Sequence, residues 1–304
     1  MTPPRPSTDA APQTCLPPYA PAGVLVIAGV GLLGGSLGLA AKELGLVRHV
    51  IGVGRRSGDL EEARRAGVID EATTELLPAI ARADIAILCQ PVEIIQRCLP
   101  EVLDAAREDV LFLTDVGSTK GRLVAAAEAH PRSRLFVGSH PMAGSDKTGW
   151  RHARADLFAG ATCYVTATDR SDLVRCARAS AFWRALSMRT VLAAPDRHDQ
   201  LAALLSHMPH MAAVAVIEGL AASHEDLSLL RLVSGSGLRD TTRVAGGGPD
   251  LWTDICAHNA DAIAEELDAL AERLQGLARL VRKGHHEELR ARLATARDTR
   301  LSLD

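Results

Sequence analysis

The feature that most constrains this chain is the passage from Val24-Leu25-Val26-Ile27-Ala28 into Gly29-Val30-Gly31-Leu32-Leu33-Gly34-Gly35. Five apolar residues end in a glycine-rich turn, and a helix-prone segment from Ser36 to Leu44 follows. Gly29, Gly31 and Gly34 read G-x-G-x-x-G. On a dinucleotide-binding fold the first glycine permits a tight turn, the second lets the backbone approach a pyrophosphate, and the third allows close helix–strand packing. The helix that follows directs free N–H groups and its positive dipole end at the phosphates, and Leu32 and Leu33 of the turn are expected at the cofactor. A plain glycine turn could carry the same triplet. The strand before it and the helix after it are what make it a cofactor motif.

From Val24 to about Ala193, short apolar runs alternate with helical stretches. Strands are expected at 24–28, 49–53, 84–89, 110–115, 134–138, 162–166 and 189–192. They are mostly continuous in hydrophobicity, as strands buried on both faces are. Repetition of strand, helix and strand implies a parallel sheet with right-handed crossovers. After Pro195 the strands stop. Helices are expected at 198–222, 226–233, 251–283 and 286–299. The fold class is therefore α/β: a Rossmann-like, doubly wound, mostly parallel sheet followed by an all-α helical domain. The expected organisation is a disordered tail over residues 1–22, a dinucleotide-binding domain over 23–193 and a helical substrate and dimerisation domain over 194–304. The third helix repeats apolar residues at Ile255, Ile263, Leu267, Leu270, Leu274, Leu277 and Leu280. So long a stripe is not easily covered within residues 194–304, and a homodimer through the helical domain is expected to cover it.

Composition narrows the classes. A net charge of −3 over 304 residues gives no basic surface for nucleic acid. No apolar run reaches the roughly 18 residues that would span a bilayer, so no membrane partner is expected. The proline-rich start lacks a basic segment followed by an apolar one, so it does not read as a secretory signal. Cys15, Cys89, Cys98, Cys163, Cys176 and Cys256 form no C-x-x-C pair. They read as reduced thiols of a cytoplasmic protein.

The second strand runs into Gly54-Arg55-Arg56-Ser57. An NAD site usually places Asp or Glu near this point to bond the ribose hydroxyls. Gly54 stands there instead, and an arginine fork can hold a 2′-phosphate. The cofactor is NADP or NAD, with NADP favoured. Solvated loop charges, or stacking of Arg55 on adenine, are the other readings of these arginines.

Ligands of an open parallel sheet bind beyond the carboxyl ends of the strands. Three further segments should arrive there: Cys89-Gln90-Pro91-Val92, Asp115-Val116-Gly117-Ser118-Thr119-Lys120-Gly121 and Gly138-Ser139-His140-Pro141-Met142-Ala143-Gly144-Ser145. Gln90 and Pro91 are expected under the cofactor, though Pro91 could serve only to start a helix. His140 is expected one residue past a buried strand, where imidazole can accept a hydroxyl proton near neutral pH. Ser118 can bond the same hydroxyl or cap the following helix, and spacing alone favours the cap. Lys120 and Lys147 read as solvated or substrate-steering.

These segments resemble the prephenate/arogenate dehydrogenase family, in the Asp115-to-Lys120 run and in Gly138-to-Gly144. The helical half agrees, through His198-Asp199, Ser206-His207-Met208-Pro209-His210, and Leu238-Arg239-Asp240-Thr241-Thr242-Arg243-Val244-Ala245 with Trp252 beyond. The resemblance runs in order from Val24 to Arg282. It implies oxidative decarboxylation of prephenate to 4-hydroxyphenylpyruvate, or of arogenate to tyrosine. It further implies hydride transfer assisted by His140, hydroxyl contact from Ser118, carboxylate anchoring by Arg243 and His210, and a dimer built from the helical domains. No mutase segment is expected before the dinucleotide domain, nor a regulatory domain after Asp304.

The residues support part of this on their own. A dicarboxylate substrate needs fixed donors, and Arg243 is a planar fork suited to one, or equally to helix-end carbonyls. His207 and His210 share a helix face, and Pro209 between them should kink that helix. An H-x-x-H pair could bind zinc, but no third ligand stands at suitable spacing, so no metal is expected. His207 reads as a structural hydrogen bond as readily as a substrate contact. Trp252 reads as packing, and Asp240 as a support for Arg243 or Thr242. A β-hydroxy acid dehydrogenase would use a helical-domain lysine, and residues 198–222 contain none. A non-catalytic cofactor sensor would not need His140, Ser118 and Arg243 together.

Overall fold

The computed structural model describes residues 19–145 and 147–303. The expected tail up to residue 18, with Cys15, lies outside the described residues. Residues 19–22 do not belong to a tail. Tyr19 packs its ring edge-on against Phe182 at 5.6 Å, and the first strand begins at Ala22. The chain divides into two compact units, one ending at His198 and the other beginning at Asp199.

The first unit runs β1 (Ala22–Ala28), α1 (Leu32–Glu43), β2 (Val47–Val53), α2 (Ser57–Arg65), β3 (Glu71–Thr73), α3 (Leu76–Ile80), β4 (Ile85–Leu88), α4 (Val92–Ala105), β5 (Phe112–Asp115), α5 (Gly121–Glu128), β6 (Phe136–Val137), β7 (Ser139–Pro141), β8 (Thr162–Thr166), α6 (Leu173–Ala185) and β9 (Arg189–Ala193). Six strands form one parallel sheet in the order β3-β2-β1-β4-β5-β6. The period of two along β1 divides its side chains between two cores. Leu25 and Ile27 join Leu37, Phe112, Phe182 and Trp183 on one face. Val26 and Ala28 join Ile95, Leu99 and Leu113 on the other. Helices thus cover both faces, and the order reverses between β1 and β4, where such sheets bind ligands.

The sheet differs from the expected one in three places. β3 is a three-residue edge strand too short and polar to signal itself. β8 and β9 do not extend the main sheet. They form a separate three-stranded sheet with β7, which runs antiparallel to β8. The chain changes sheets at Gly138, whose carbonyl accepts both the backbone N–H and the hydroxyl of Thr166. A Cβ at Gly138 would collide with that hydroxyl. Consequently His140 lies inside a strand, opposite Tyr164, and not in a loop past one.

α7 (Pro195–Ala202) starts in the first unit, with His198 as that unit's last residue. The His198 ring packs against Tyr164 of β8. The second unit continues with a π-helical turn over Ala203–His207, then α8 (Met208–Ala221), α9 (Leu227–Val233), α10 (Ser236–Thr242), α11 (Pro249–His258), α12 (Ala260–Lys283) and α13 (His286–Leu301). Two expected helices are interrupted. Pro209 cannot donate into the ladder, and the backbone ahead of it widens into the π turn. The expected 251–283 helix breaks at Asn259, whose side-chain amide donates to the Asp199 carbonyl at 2.8 Å.

The helical run Pro195–Ala221 has an 18-residue window of mean hydropathy 1.4, so by length and composition it could cross a membrane. That corrects the expectation that no such run exists. Its sequence also carries His198, Asp199, His207 and His210, all buried. Elsewhere in this unit Leu227, Leu232, Val233, Leu274 and Val281 are exposed.

Candidate active site

The glycine loop has the geometry of a phosphate cradle. Gly29 adopts φ +103°, and a Cβ there would lie 2.8 Å from the Cys89 carbonyl oxygen. A Cβ at Gly34 would collide with the Gly29 carbonyl. Gly31 is the N-cap of α1 and makes no side-chain cap bond, and a Cβ on it would meet nothing within 4 Å. The first N–H groups of α1, at Leu32 and Leu33, therefore have room for an anion. β1 and β4 are neighbours, so the β4 end brings Cys89 and Gln90 beside Gly29, with Pro91 next along the chain. Gln90 Oε1 is buried without a hydrogen-bond partner among the described residues. Pro91 is the N-cap of α4. Such a loop fits a dinucleotide.

At the β2 end, Gly54 packs on Leu60, and Arg55 and Arg56 follow. Arg56 pairs with Asp59 at 2.6 Å from a highly exposed position. A cavity of about 350 Å³ lies alongside, lined by Ser57, Leu60, Glu61, Ala72, Thr73 and Thr74.

The β5 and β7 ends carry a polar network that residue spacing does not reveal. Asp115 and Lys120 form an ion pair with no exposure of either side chain. Lys120 is thus neither solvated nor free to steer a substrate. Its chain folds back over a single turn and reaches the carboxylate at the β5 end. Asp115 Oδ2 also accepts the Gly117 N–H at 2.8 Å, and Oδ1 accepts the Ser139 N–H at 3.0 Å. Ser139 Oγ lies 2.8 Å from Thr114 Oγ1 and accepts from Trp183 Nε1 at 3.0 Å. The residue preceding His140 is therefore held by three buried partners. His140 is 8 % exposed, and its Nδ1 lies 2.9 Å from His198 Nε2.

Ser118 is half-buried on the loop between Asp115 and α5. It does not cap α5, which starts at Gly121 with Lys120 as N-cap and no side-chain cap bond. Lys147 is exposed, and its backbone N–H donates to Ser145 Oγ.

In the helical unit the π turn brings His207 and His210 to Trp252. His210 stacks on the indole at 3.4 Å, with 12° between the planes. It is 4 % exposed, and among the described residues Nδ1 has no hydrogen-bond partner. Burial lowers its pKa below the ordinary 6.5. His207 Nδ1 lies 3.3 Å from Asn259 Nδ2, so His207 is tied into the fold. The α8–Trp252 packing depends on Gly247, where a Cβ would meet Trp252 and approach His210 Cε1 to 3.1 Å. Arg243 is exposed at the end of α10 and opens a 3-10 turn. Among the described residues no hydrogen bond or ion pair joins it to Asp240. Thr242 Oγ1 donates instead to the Leu238 carbonyl at 2.7 Å, a bond made within one helical turn.

The fold and its glycine loop define a nucleotide-dependent dehydrogenase with a helical second domain. Family models agree in both halves: "Prephenate dehydrogenase, nucleotide-binding domain" matches residues 37–192, and "Prephenate dehydrogenase, dimerization domain" matches 194–295. The chain belongs to the prephenate dehydrogenase family. It is 31% identical to the prephenate dehydrogenase of Bacillus subtilis over 277 residues, 91% of this chain and 75% of that one. It is 30% identical to the cyclohexadienyl dehydrogenase of Zymomonas mobilis over 79% of this chain and 82% of that one. The Aquifex aeolicus prephenate dehydrogenase in complex with hydroxyphenyl propionate and NAD+ superposes with a TM-score of 0.85 at 27% identity, covering 93% of this chain and 98% of that one. Synechocystis arogenate dehydrogenase superposes at 0.76 with 30% identity, covering 92% and 100%.

Proposed function

We propose that the protein is a prephenate dehydrogenase, oxidising prephenate with loss of carbon dioxide to 4-hydroxyphenylpyruvate. The observation that carries this reading is the His140 imidazole, buried on a strand whose preceding residue is fixed by Asp115, Thr114 and Trp183. When bound, the oxidised nicotinamide supplies the hydride acceptor. His140 takes the proton of the ring hydroxyl as the carbon beneath it is oxidised, and Ser118 bonds the same hydroxyl. Arg243 anchors a carboxylate through its planar fork. His210, whose Nδ1 lacks a partner among the described residues, offers a second contact. His207 is assigned to support of His210 and Trp252. Gly29, Gly31, Leu32, Leu33, Gly34, Gln90 and Pro91 hold the cofactor.

NADP is the proposed cofactor, because no carboxylate stands at Gly54. Arg55 is the residue proposed to meet a 2′-phosphate, since Arg56 is paired with Asp59. A second copy is proposed to cover the exposed apolar residues of the helical unit, in keeping with the family model's name for it. A cytoplasmic location belongs to the same reading, and the five described cysteines are unpaired. Arogenate is the second substrate reading, supported by the likeness to the Synechocystis enzyme.

An assay of prephenate and arogenate, each with NAD and with NADP, tests this directly. Reduced cofactor should form with prephenate, at a lower KM for NADP. No turnover with either substrate would end the enzymatic reading. An NAD preference of about tenfold or more would end the cofactor assignment. Sedimentation showing only a monomer at micromolar concentration would end the dimer.

A further inference from the structure

We propose that His198 is a positioning residue that sets the tautomer of His140. The inference rests on the reading of His140 as the proton acceptor and adds a partner to it. His140 Nδ1 and His198 Nε2 are 2.9 Å apart, a hydrogen-bond distance. One proton lies between them. Two protons would set two N–H donors against each other, and none would leave two lone pairs opposed. If His140 Nδ1 carries the proton, the basic nitrogen of His140 is Nε2. If His198 Nε2 carries it, His140 must hold its own proton at Nε2 and cannot act as a base there. Only the first arrangement suits an acceptor of a hydroxyl proton. In it the imidazolium formed during turnover keeps an N–H aimed at a nitrogen lone pair, which stabilises the charge as it develops.

The packing holds both rings to this geometry. The His198 side chain is fully buried, and its ring meets His140 edge-on at 5.1 Å and 66°. Tyr164 also packs edge-on against the His198 ring, at 5.0 Å and 84°. Tyr164 is also the cross-strand partner of His140, so one residue of β8 sets the height of both imidazoles. His198 is fixed in the first turn of α7, where its N–H donates to the Ala194 carbonyl. Neither ring can turn far without losing an aromatic contact.

Long-range ¹H–¹⁵N correlation spectra of the full-length protein, labelled at histidine, read the tautomer directly. His140 is assigned by the signals lost in His140→Asn. The expected pattern is a protonated Nδ1 and a pyridine-like Nε2 on His140. A protonated Nε2 on neutral His140 overturns the proposal. Kinetics supply a second reading. His198→Leu should lower kcat by roughly 10²-fold at nearly unchanged KM. His198→Gln, which keeps an acceptor near the position of Nε2, should recover most of that loss. Equal impairment of both variants, or full turnover in His198→Leu, also overturns it. If His198→Leu fails to fold, the spectrum of the unaltered protein still decides. Failure of the underlying base assignment looks different: His140→Asn would retain near-native turnover whatever the tautomer.

Discussion

Lys120 and Asp115 form an ion pair in which neither side chain reaches solvent. Removing one partner of such a pair leaves the other charged and buried, which costs about 3–5 kcal/mol. Asp115 keeps two backbone N–H donors, from Gly117 and Ser139, so the lower end applies. Lys120→Met should lower unfolding stability in urea by about 3 kcal/mol. A loss below about 1 kcal/mol, the scale of surface pairs, would show that the pair contributes little.

His140→Asn should reduce kcat by roughly 10²–10⁴, the scale of a positioned acid–base group, with KM for prephenate little changed. Thermal unfolding of the same variant separates catalytic loss from misfolding. Turnover near the native value would remove His140 from the reaction.

Arg243→Ala should weaken substrate binding by roughly 2 kcal/mol, seen as a raised KM, while kcat changes less. The side chain is exposed and packs into no core, so the variant should unfold at the native denaturant concentration. Unchanged KM would exclude Arg243 from substrate anchoring.

Gly247→Ala should displace Trp252, because the added Cβ meets the indole and crowds His210. The stacking of His210 on Trp252 would be lost, along with roughly 1–3 kcal/mol of stability. Indole fluorescence and KM for prephenate should change together. A variant with native fluorescence and KM would show that the stack tolerates the methyl group.

His210 gives stability a defined pH dependence. Burial holds its folded pKa below the ordinary 6.5, so the unfolded chain binds the proton more readily. Its contribution is therefore fully present above about 6.5 and is lost as pH falls below that value. His210→Phe should flatten the fall in urea stability on the acid side of 6.5. An unaltered slope would show that another group dominates there.

The cofactor half was legible because its signals are local. The run Val24–Ala28 and the spacing of Gly29, Gly31 and Gly34 depend on neighbours within a few residues. The strand–helix alternation behind them repeats the same code. β3 escaped because three polar-edged residues form no pattern. The separate β7-β8-β9 sheet escaped because hydrophobicity marks a strand without naming its partner. The sequence locates His140 just past a strand, in a loop, since only the pairing with Tyr164 makes its segment a strand. Lys120 is hidden for a related reason: a lysine near a strand end reads as solvated until its carboxylate is known to be within reach.

By itself the sequence determined what short-range physics can specify: a buried parallel sheet, a glycine turn open to phosphate, a helical second half, and a histidine at the end of the sheet. Tertiary structure alone decided which side chains meet across long separations. Asp115 reaches Ser139, Trp183 reaches Ser139, and His198 reaches His140, 58 residues away. These contacts have no periodicity in the chain, because each depends on the strand order and on the turn at Gly138 that carries the backbone from one sheet to the next.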